Sequence, residues 1–256
     1  MALELVIFDM SGTVVFDRDA VFSAMQEAVS AITGHSLGRE QCKRVMGIDQ
    51  QVALSHLVAE CRGGHAPEAD ELAHALKIFR RRVLSRYEFD PSVCEMPGAS
   101  DAFRQLHAWG IRAALNAAFD RELTNTLIDR FGWDRDGLID ASLASDEVGA
   151  SRPSSDAIQA LLELSGVKSP ASVMKVGDAP IGLEEGDAAD CRWLIGVTTG
   201  AHSFAELSRH PHTAILRGVA DLPAWMAEHI LSLNKETQGE PCGSPCLPIE
   251  HSCAGV

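Results

Sequence analysis

The stretch Leu5-Val6-Ile7-Phe8-Asp9-Met10-Ser11-Gly12-Thr13 decides the fold. Its apolar run is of strand length, and Ser11, Gly12 and Thr13 break it at once. We read a buried strand that delivers one carboxylate, Asp9, to a tight loop. A strand-end Asp before a glycine is also a pattern of plain structural turns, so the rest of the chain has to choose between the two.

Similar apolar runs recur at Ile111 to Leu115, Val173 to Val176 and Trp193 to Val197, with helix-like segments between them. That alternation is the pattern of a parallel sheet with crossover helices, an α/β core of Rossmann-like type, and ligands of such sheets gather at the carboxyl ends of the strands. Between the first two runs lie about a hundred residues, against the dozen or so of an ordinary crossover. The excess reads as an insertion. Within residues 17–86 the apolar spacing is helical, as in Val21, Met25, Ala28, Val29 and Ile32 along one face. The chain is therefore expected to form a core from residues 1–15 and 93–235 and a helical cap domain from 16–92, inserted after the first strand. Val15 to Asp17 and Pro91 to Gly98 are its two connections. The stretch 236–256 is rich in Gly, Pro, Ser and Cys without a period, and is expected to be disordered.

Bulk properties narrow the partners. The chain has 256 residues, 46% hydrophobic and 23% charged, enough for a sizeable core and with no apolar stretch long enough to span a bilayer. A net charge of −14 repels a phosphate backbone, so neither nucleic acid nor a membrane is an expected partner. A strand begins almost immediately, leaving no basic start or cleavage site of a secretory signal, and the seven cysteines are scattered rather than framed. A cytoplasmic, reducing location is expected. Oligomeric state is not legible.

Two further segments carry chemistry. Arg152-Pro153 precedes a helical pattern, and Val176-Gly177-Asp178-Ala179-Pro180 ends an apolar strand in a second carboxylate. Taken singly, Arg152 fits a surface ion pair and Asp178 a cap for the following helix. In order and spacing, however, these segments and the Asp9 loop together resemble the haloacid dehalogenase superfamily of phosphoryl-transfer hydrolases, from Met1 to about Leu233, including Pro97-Gly98 and Gly200-Ala201-His202. Ser11 stands where most phosphatases of the superfamily carry a second Asp, which is similar to the phosphonoacetaldehyde-hydrolase-like branch.

The resemblance implies a magnesium-dependent phosphatase acting on a small phosphorylated metabolite, such as a sugar, cyclitol or organic acid phosphate. It makes Asp9 the nucleophile and a metal ligand, the Ser11 carbonyl and Asp178 further ligands, and Arg152 the cation for the transferring oxygens. Amides of the loop around Gly12 and Thr13 would hold the phosphate, together with Asn116 or Ala117 at the end of the second strand. Phosphonoacetaldehyde cleavage itself is disfavoured. The branch forms an imine on a cap lysine three residues after a Met-Gly pair, and here Met46-Gly47 is followed at that offset by Gln50, with Ala53 at the position of a neighbouring histidine. Lys43 lies close by and reads as a surface charge.

Several positions depart from the superfamily pattern. Ser11 cannot readily deliver a proton near neutral pH, Ala117 lacks the hydroxyl usual at the second strand, and Gly182 replaces a second acid of the metal loop. Glu184 or Glu185 could compensate through water, but both read more simply as polar positions of the following helix. These losses open a second hypothesis, a catalytically impaired relative that binds a ligand or a partner protein. A third, carbon-halogen hydrolysis, needs no magnesium and sits poorly with Asp178. Arg18 and Asp19 are guessed to face the cleft, His35, His56, His65 and His74 read as solvated helix residues, and a zinc site at Cys242, Cys246, His251 and Cys253 matches no strong spacing.

Overall fold

The computed structural model describes residues 2–231. The expected tail 236–256, with its cysteine-histidine cluster, lies outside the described residues.

The opening apolar run forms β1, Leu5–Asp9, buried along its whole length. It lies at the centre of a six-stranded sheet with β4 (Arg112–Asn116), β5 (Ala141–Leu143), β6 (Val173–Gly177), β7 (Trp193–Val197) and β8 (Ala214–Leu216). The order is β5-β4-β1-β6-β7-β8 and every pairing is parallel. A parallel strand covered on both faces has no solvated side to make polar, which is why these strands read as near-continuous apolar runs. Helices α5 (Ala99–Ala108), α6 (Arg121–Phe131), α7 (Asp156–Ser165), α8 (Pro180–Ala188) and the short α9 (Phe204–Leu207) connect the core strands. Under β1, Phe8 meets the edge of Phe103 on α5 at 5.2 Å, and Phe103 meets Trp133 at 5.5 Å, all three fully buried. The succession turns outward on both sides of β1, towards β5 on one and β8 on the other. The crevice for a ligand is therefore at the carboxyl end of β1.

The long insertion is helical: α1 (Ala20–Thr33), α2 (Arg39–Lys43), α3 (Gln50–Cys61) and α4 (Ala69–Phe89). Its two connections pair with each other as an antiparallel ribbon of β2 (Val15–Phe16) and β3 (Cys94–Glu95). On α4 the buried residues Ala75, Phe79, Val83 and Tyr87 recur every fourth position, and α4 packs against α1, where Val21, Met25, Ala28 and Val29 are buried. No helix among the described residues is long and apolar enough to cross a membrane. The main unit ends at Pro223; a second begins at Ala224, where the Trp225 ring stacks on His229 at 5.0 Å.

The aromatic contact under the nucleophile strand gives a direct test of the core. Phe103→Ala removes a fully buried ring from between two others and is expected to cost roughly 3–5 kcal/mol of stability, read as a lower urea midpoint with an unchanged slope. A loss under about 1 kcal/mol would mean that the ring is not packed as described.

Candidate active site

Asp9 ends β1, and the chain turns sharply beyond it. The Gly12 amide donates to the Val15 carbonyl at 2.9 Å and the Thr13 amide to the Met10 carbonyl at 3.1 Å. These two amides, assigned to the phosphate from the sequence, are thus spent on closing the loop. Gly12 has φ +80, and a Cβ there would lie 2.5 Å from Asp178 Oδ2. Only glycine allows both the conformation and that approach.

Three strands bring the other predicted residues to the same end of the sheet. Asp178 follows β6, takes a hydrogen bond from the Thr13 hydroxyl at 3.2 Å on Oδ1 and one from the Ala201 amide at 3.3 Å on Oδ2. It does not cap α8, whose N-cap position is Ala179. Arg152 is no surface residue: its side chain is 7% exposed, and Nη2 donates to Asp9 Oδ1 at 2.6 Å and to the Asn116 carbonyl at 3.0 Å. Asn116 and Ala117, assigned to substrate from the sequence, are engaged within the protein. The Asn116 amide donates to both oxygens of Glu185 at 3.0 and 2.9 Å, and the Ala117 amide donates to the Leu143 carbonyl.

Two residues that sequence reasoning missed complete the cluster. Lys175 is fully buried within β6, its Nζ 2.6 Å from Asp9 Oδ1 and 3.1 Å from Glu185 Oε2. Glu185 on α8, read from the sequence as a polar helix position, is also fully buried and pairs with Arg152 Nε at 3.1 Å. The signal was present in the sequence: a lysine inside a strand buried on both faces has to find an anionic partner. Burial works to raise the Asp9 carboxyl, but Arg152 and Lys175 outweigh it and hold Asp9 below the usual carboxylate range. Asp178 has no such cation in contact, and burial together with the charge of Asp9 pushes it up to about 7.

Whether a divalent cation fits is answered by the donor set. Asp9 Oδ2 is buried with no hydrogen-bond partner, and it fills the space where a Cβ on Gly177 or Gly182 would stand, each at 2.4 Å. Asp178 Oδ2 likewise lies where a Cβ on Gly12 or Gly200 would stand. Two buried carboxylates, one raised by the other's charge and one with an orphan oxygen, are suited to a hard, oxygen-seeking cation. No group of three or more His, Cys, Asp or Glu forms a metal cluster among the described residues, so the side-chain donors are these two acids. Backbone carbonyls and water would complete an octahedral magnesium shell, which commonly keeps several waters. Gly182 also gains a physical reason, since Asp9 Oδ2 leaves no room for the side chain expected there.

Above this cluster is a cavity of about 320 Å³ lined by both the core and the helical insert. Ser11, Asp17, Arg18, Asp19, Gln50 and Asn116 are among its walls. The placement of Arg18 and Asp19 at the cleft agrees with the sequence-based guess. The Ser11 hydroxyl donates to Asp17 Oδ2 at 2.8 Å, and burial raises the Asp17 carboxyl. Gln50 is buried with Nε2 on Asp120 at 3.0 Å, and Lys43 holds both oxygens of Glu206 at 2.6 and 2.8 Å. His35, His56, His65 and His74 are all exposed and none lines the cavity.

Comparison with known proteins identifies the family and the fold. The family model described as haloacid dehalogenase-like hydrolase matches residues 3–190. A phosphonoacetaldehyde hydrolase of Bordetella avium is 29% identical over 225 residues, covering 83% of this chain and 77% of that protein. Among solved structures, a phosphonoacetaldehyde hydrolase-like protein of Oleispira antarctica superposes with a TM-score of 0.76 at 18% identity, covering 94% of this chain and 96% of that one. A hydrolase of Pseudomonas syringae gives 0.77 at 16% identity, covering 88% and 99%.

The two carboxylates carry opposite predictions for stability. Folded Asp178 keeps its proton up to about pH 7, whereas a carboxyl with the ordinary value of 3.8 ionises well below that. Between those values the folded state binds the extra proton, so stability falls as pH rises through the interval and does not recover above it. In metal-free buffer at pH 8, Asp178→Asn is expected to be more stable than wild type by on the order of 2–4 kcal/mol, with the gain shrinking at pH 5.5. Asp9→Asn leaves two buried cations facing only Glu185 and is expected to lose roughly 3–5 kcal/mol. Urea melts at the two pH values test both, and a pH-independent difference for Asp178→Asn would contradict the first.

Proposed function

The chain belongs to the haloacid dehalogenase-like hydrolase family, and on that premise we propose that it is a magnesium-dependent phosphatase of a small metabolite phosphate monoester, working through an aspartyl-phosphate on Asp9. One observation carries this reading. Asp9 is held ionised by Arg152 and Lys175 beside a second buried carboxylate, Asp178, at the floor of the cavity.

An anionic nucleophile attacking an anionic phosphate needs its charge offset without being quenched. Arg152 and Lys175 meet on the same oxygen, Oδ1, which leaves Oδ2 of Asp9 without a partner. Asp9 and Asp178, with the Ser11 carbonyl, would hold the magnesium ion, which supplies charge neutralisation of the transferring phosphoryl group. Arg152 is fixed from three directions, by Asp9, Glu185 and the Asn116 carbonyl, so it presents a preorganised cation to the equatorial oxygens. Ser11 is a poor acid by itself, but Asp17 stands behind it. With Asp17 protonated, as its raised carboxyl favours, and the Ser11 hydroxyl turned from Asp17 to the leaving oxygen, Ser11 would give its proton to that oxygen as Oγ takes one from Asp17, replacing the missing second Asp of the loop. The helical insert closes over this chemistry as a cap, with the Gly47 carbonyl accepting from Arg152 Nη1 at 3.3 Å. Phosphonoacetaldehyde cleavage is not proposed, since Gln50 bears no amine and Lys43 is occupied by Glu206 outside the cavity wall.

The other reading, a ligand-binding relative without turnover, draws on Ala117, which has no hydroxyl to offer a phosphate. Phosphate release separates the two. Wild-type protein with magnesium is expected to hydrolyse phosphate monoesters and Asp9→Asn to lose at least about a thousandfold in kcat. Turnover equal in the two proteins would refute the nucleophile, and ligand-induced stabilisation without phosphate release would favour the binding reading. Asp17→Asn is expected to slow alkyl phosphates by roughly a hundredfold or more and p-nitrophenyl phosphate far less, because a good leaving group needs no proton. Equal losses on both substrates would remove Asp17 from the proton path.

A further inference from the structure

The helical insert supplies a wall of carbon above the nucleophile. Val21, Phe22 and Met25 of α1, Met46 and Ile48 of the α2–α3 connection and Phe79 of α4 all line the cavity. Most of the insert's polar lining groups are engaged within the protein, and the buried Oε1 of Gln50 is an acceptor without a partner. Arg39 holds Asp19 through two hydrogen bonds of 3.0 and 2.7 Å and lies over the Phe22 ring at 4.7 Å, and Gln50 gives its amide to Asp120. Arg18 is exposed at the mouth, beyond the buried part of the wall. The space is polar at its floor, where Asp9, Asp178 and Arg152 lie, and apolar at its roof.

Resting on the phosphatase reading of this same site, we infer that the alcohol released is apolar, a short alkyl or aromatic group, and not a polyol. A sugar or cyclitol under this roof would place several hydroxyls against methyl, thioether and ring carbons. Each buried hydroxyl left without a partner costs roughly tenfold in affinity or more. An alkyl or aryl group gains there instead, about fourfold for each methylene taken out of water. Met25 and Met46 add adaptable side chains that fill irregular gaps around such a group, and a cavity at the small end of ligand sites limits its size. The sugar and cyclitol phosphates suggested by family resemblance are accordingly the poorer substrates.

The test uses the full chain with magnesium on n-propyl, n-butyl, n-pentyl and n-hexyl phosphate beside glycerol 1-phosphate and glucose 6-phosphate. The polyol esters have the better leaving groups, so intrinsic reactivity runs against the expectation. We expect kcat/KM to climb about fourfold per methylene until the roof is filled, and hexyl phosphate to exceed glucose 6-phosphate at least about tenfold. A flat alkyl series, or faster turnover of glucose 6-phosphate, overturns the inference. Met46→Gln and Ile48→Thr, both at half-buried loop positions, are each expected to lower the ratio of hexyl to glycerol phosphate turnover severalfold at unchanged melting temperature. Ratios unaffected in both variants overturn it as well. If no ester releases phosphate, the phosphatase reading fails on its own, and melting shifts with the inert n-propyl- and n-hexylphosphonates decide the question of the roof. A shift that grows with chain length supports an apolar ligand, and equal shifts overturn it.

Discussion

The ion cluster of Asp9, Arg152, Lys175 and Glu185 is the constraint on which the site depends. Taking charges out of water is costly, and a cluster of this kind persists only when every member is paired and hydrogen-bonded. Here two acids face two bases with almost no exposure, and Asn116 adds its amide to Glu185. The parallel pairing of β1 with β6 makes this possible, because Lys175 sits opposite Ile7 and its long stem runs along the strand end to Asp9. The cluster is worth more as preorganisation than as stability. It fixes the orientation of the Asp9 carboxylate before any ligand arrives.

Steric permission is the second constraint. Gly12, Gly177, Gly182 and Gly200 stand where any Cβ would strike an Asp9 or Asp178 carboxyl. These glycines come from the loops after β1 and β7, from the last residue of β6 and from the first turn of α8. The close packing of two acids is therefore written into several separate segments. It also accounts for the departure at position 182, where the expected acid and the observed position of Asp9 Oδ2 exclude each other.

The insert adds the roof and part of the rigidity. Gly47, at φ +83 and with no space for a Cβ against Ile181, brings its carbonyl down to Arg152, while Lys43 reaches Glu206 on α9. Both contacts tie the helical segment to the core. The polar floor comes mainly from the loops after strands and the apolar roof from helices, so recognition of the phosphoryl group and of its leaving group are separable in the chain.

The sequence by itself determined the parallel α/β core, the position of the helical insertion and the arrival of Asp9 and Asp178 at strand ends. A strand buried on both faces has to be written as an apolar run, and its end is marked by the residues that break it. The family resemblance, carried by local segments in order, was legible for the same reason. Only the tertiary structure decided the use of side chains whose partners are remote in sequence. Lys175 and Glu185 lie on adjoining elements yet meet Asp9 and Arg152 from far along the chain, Asn116 turns to Glu185 and away from a ligand, and the Gly12 and Thr13 amides close their own loop. The carbon roof belongs to the same class, because α1, α4 and the loop before α3 converge only once the insert folds over the sheet. Periodicity reports which face of an element is buried; what that face meets is set by the packing of elements that the chain separates.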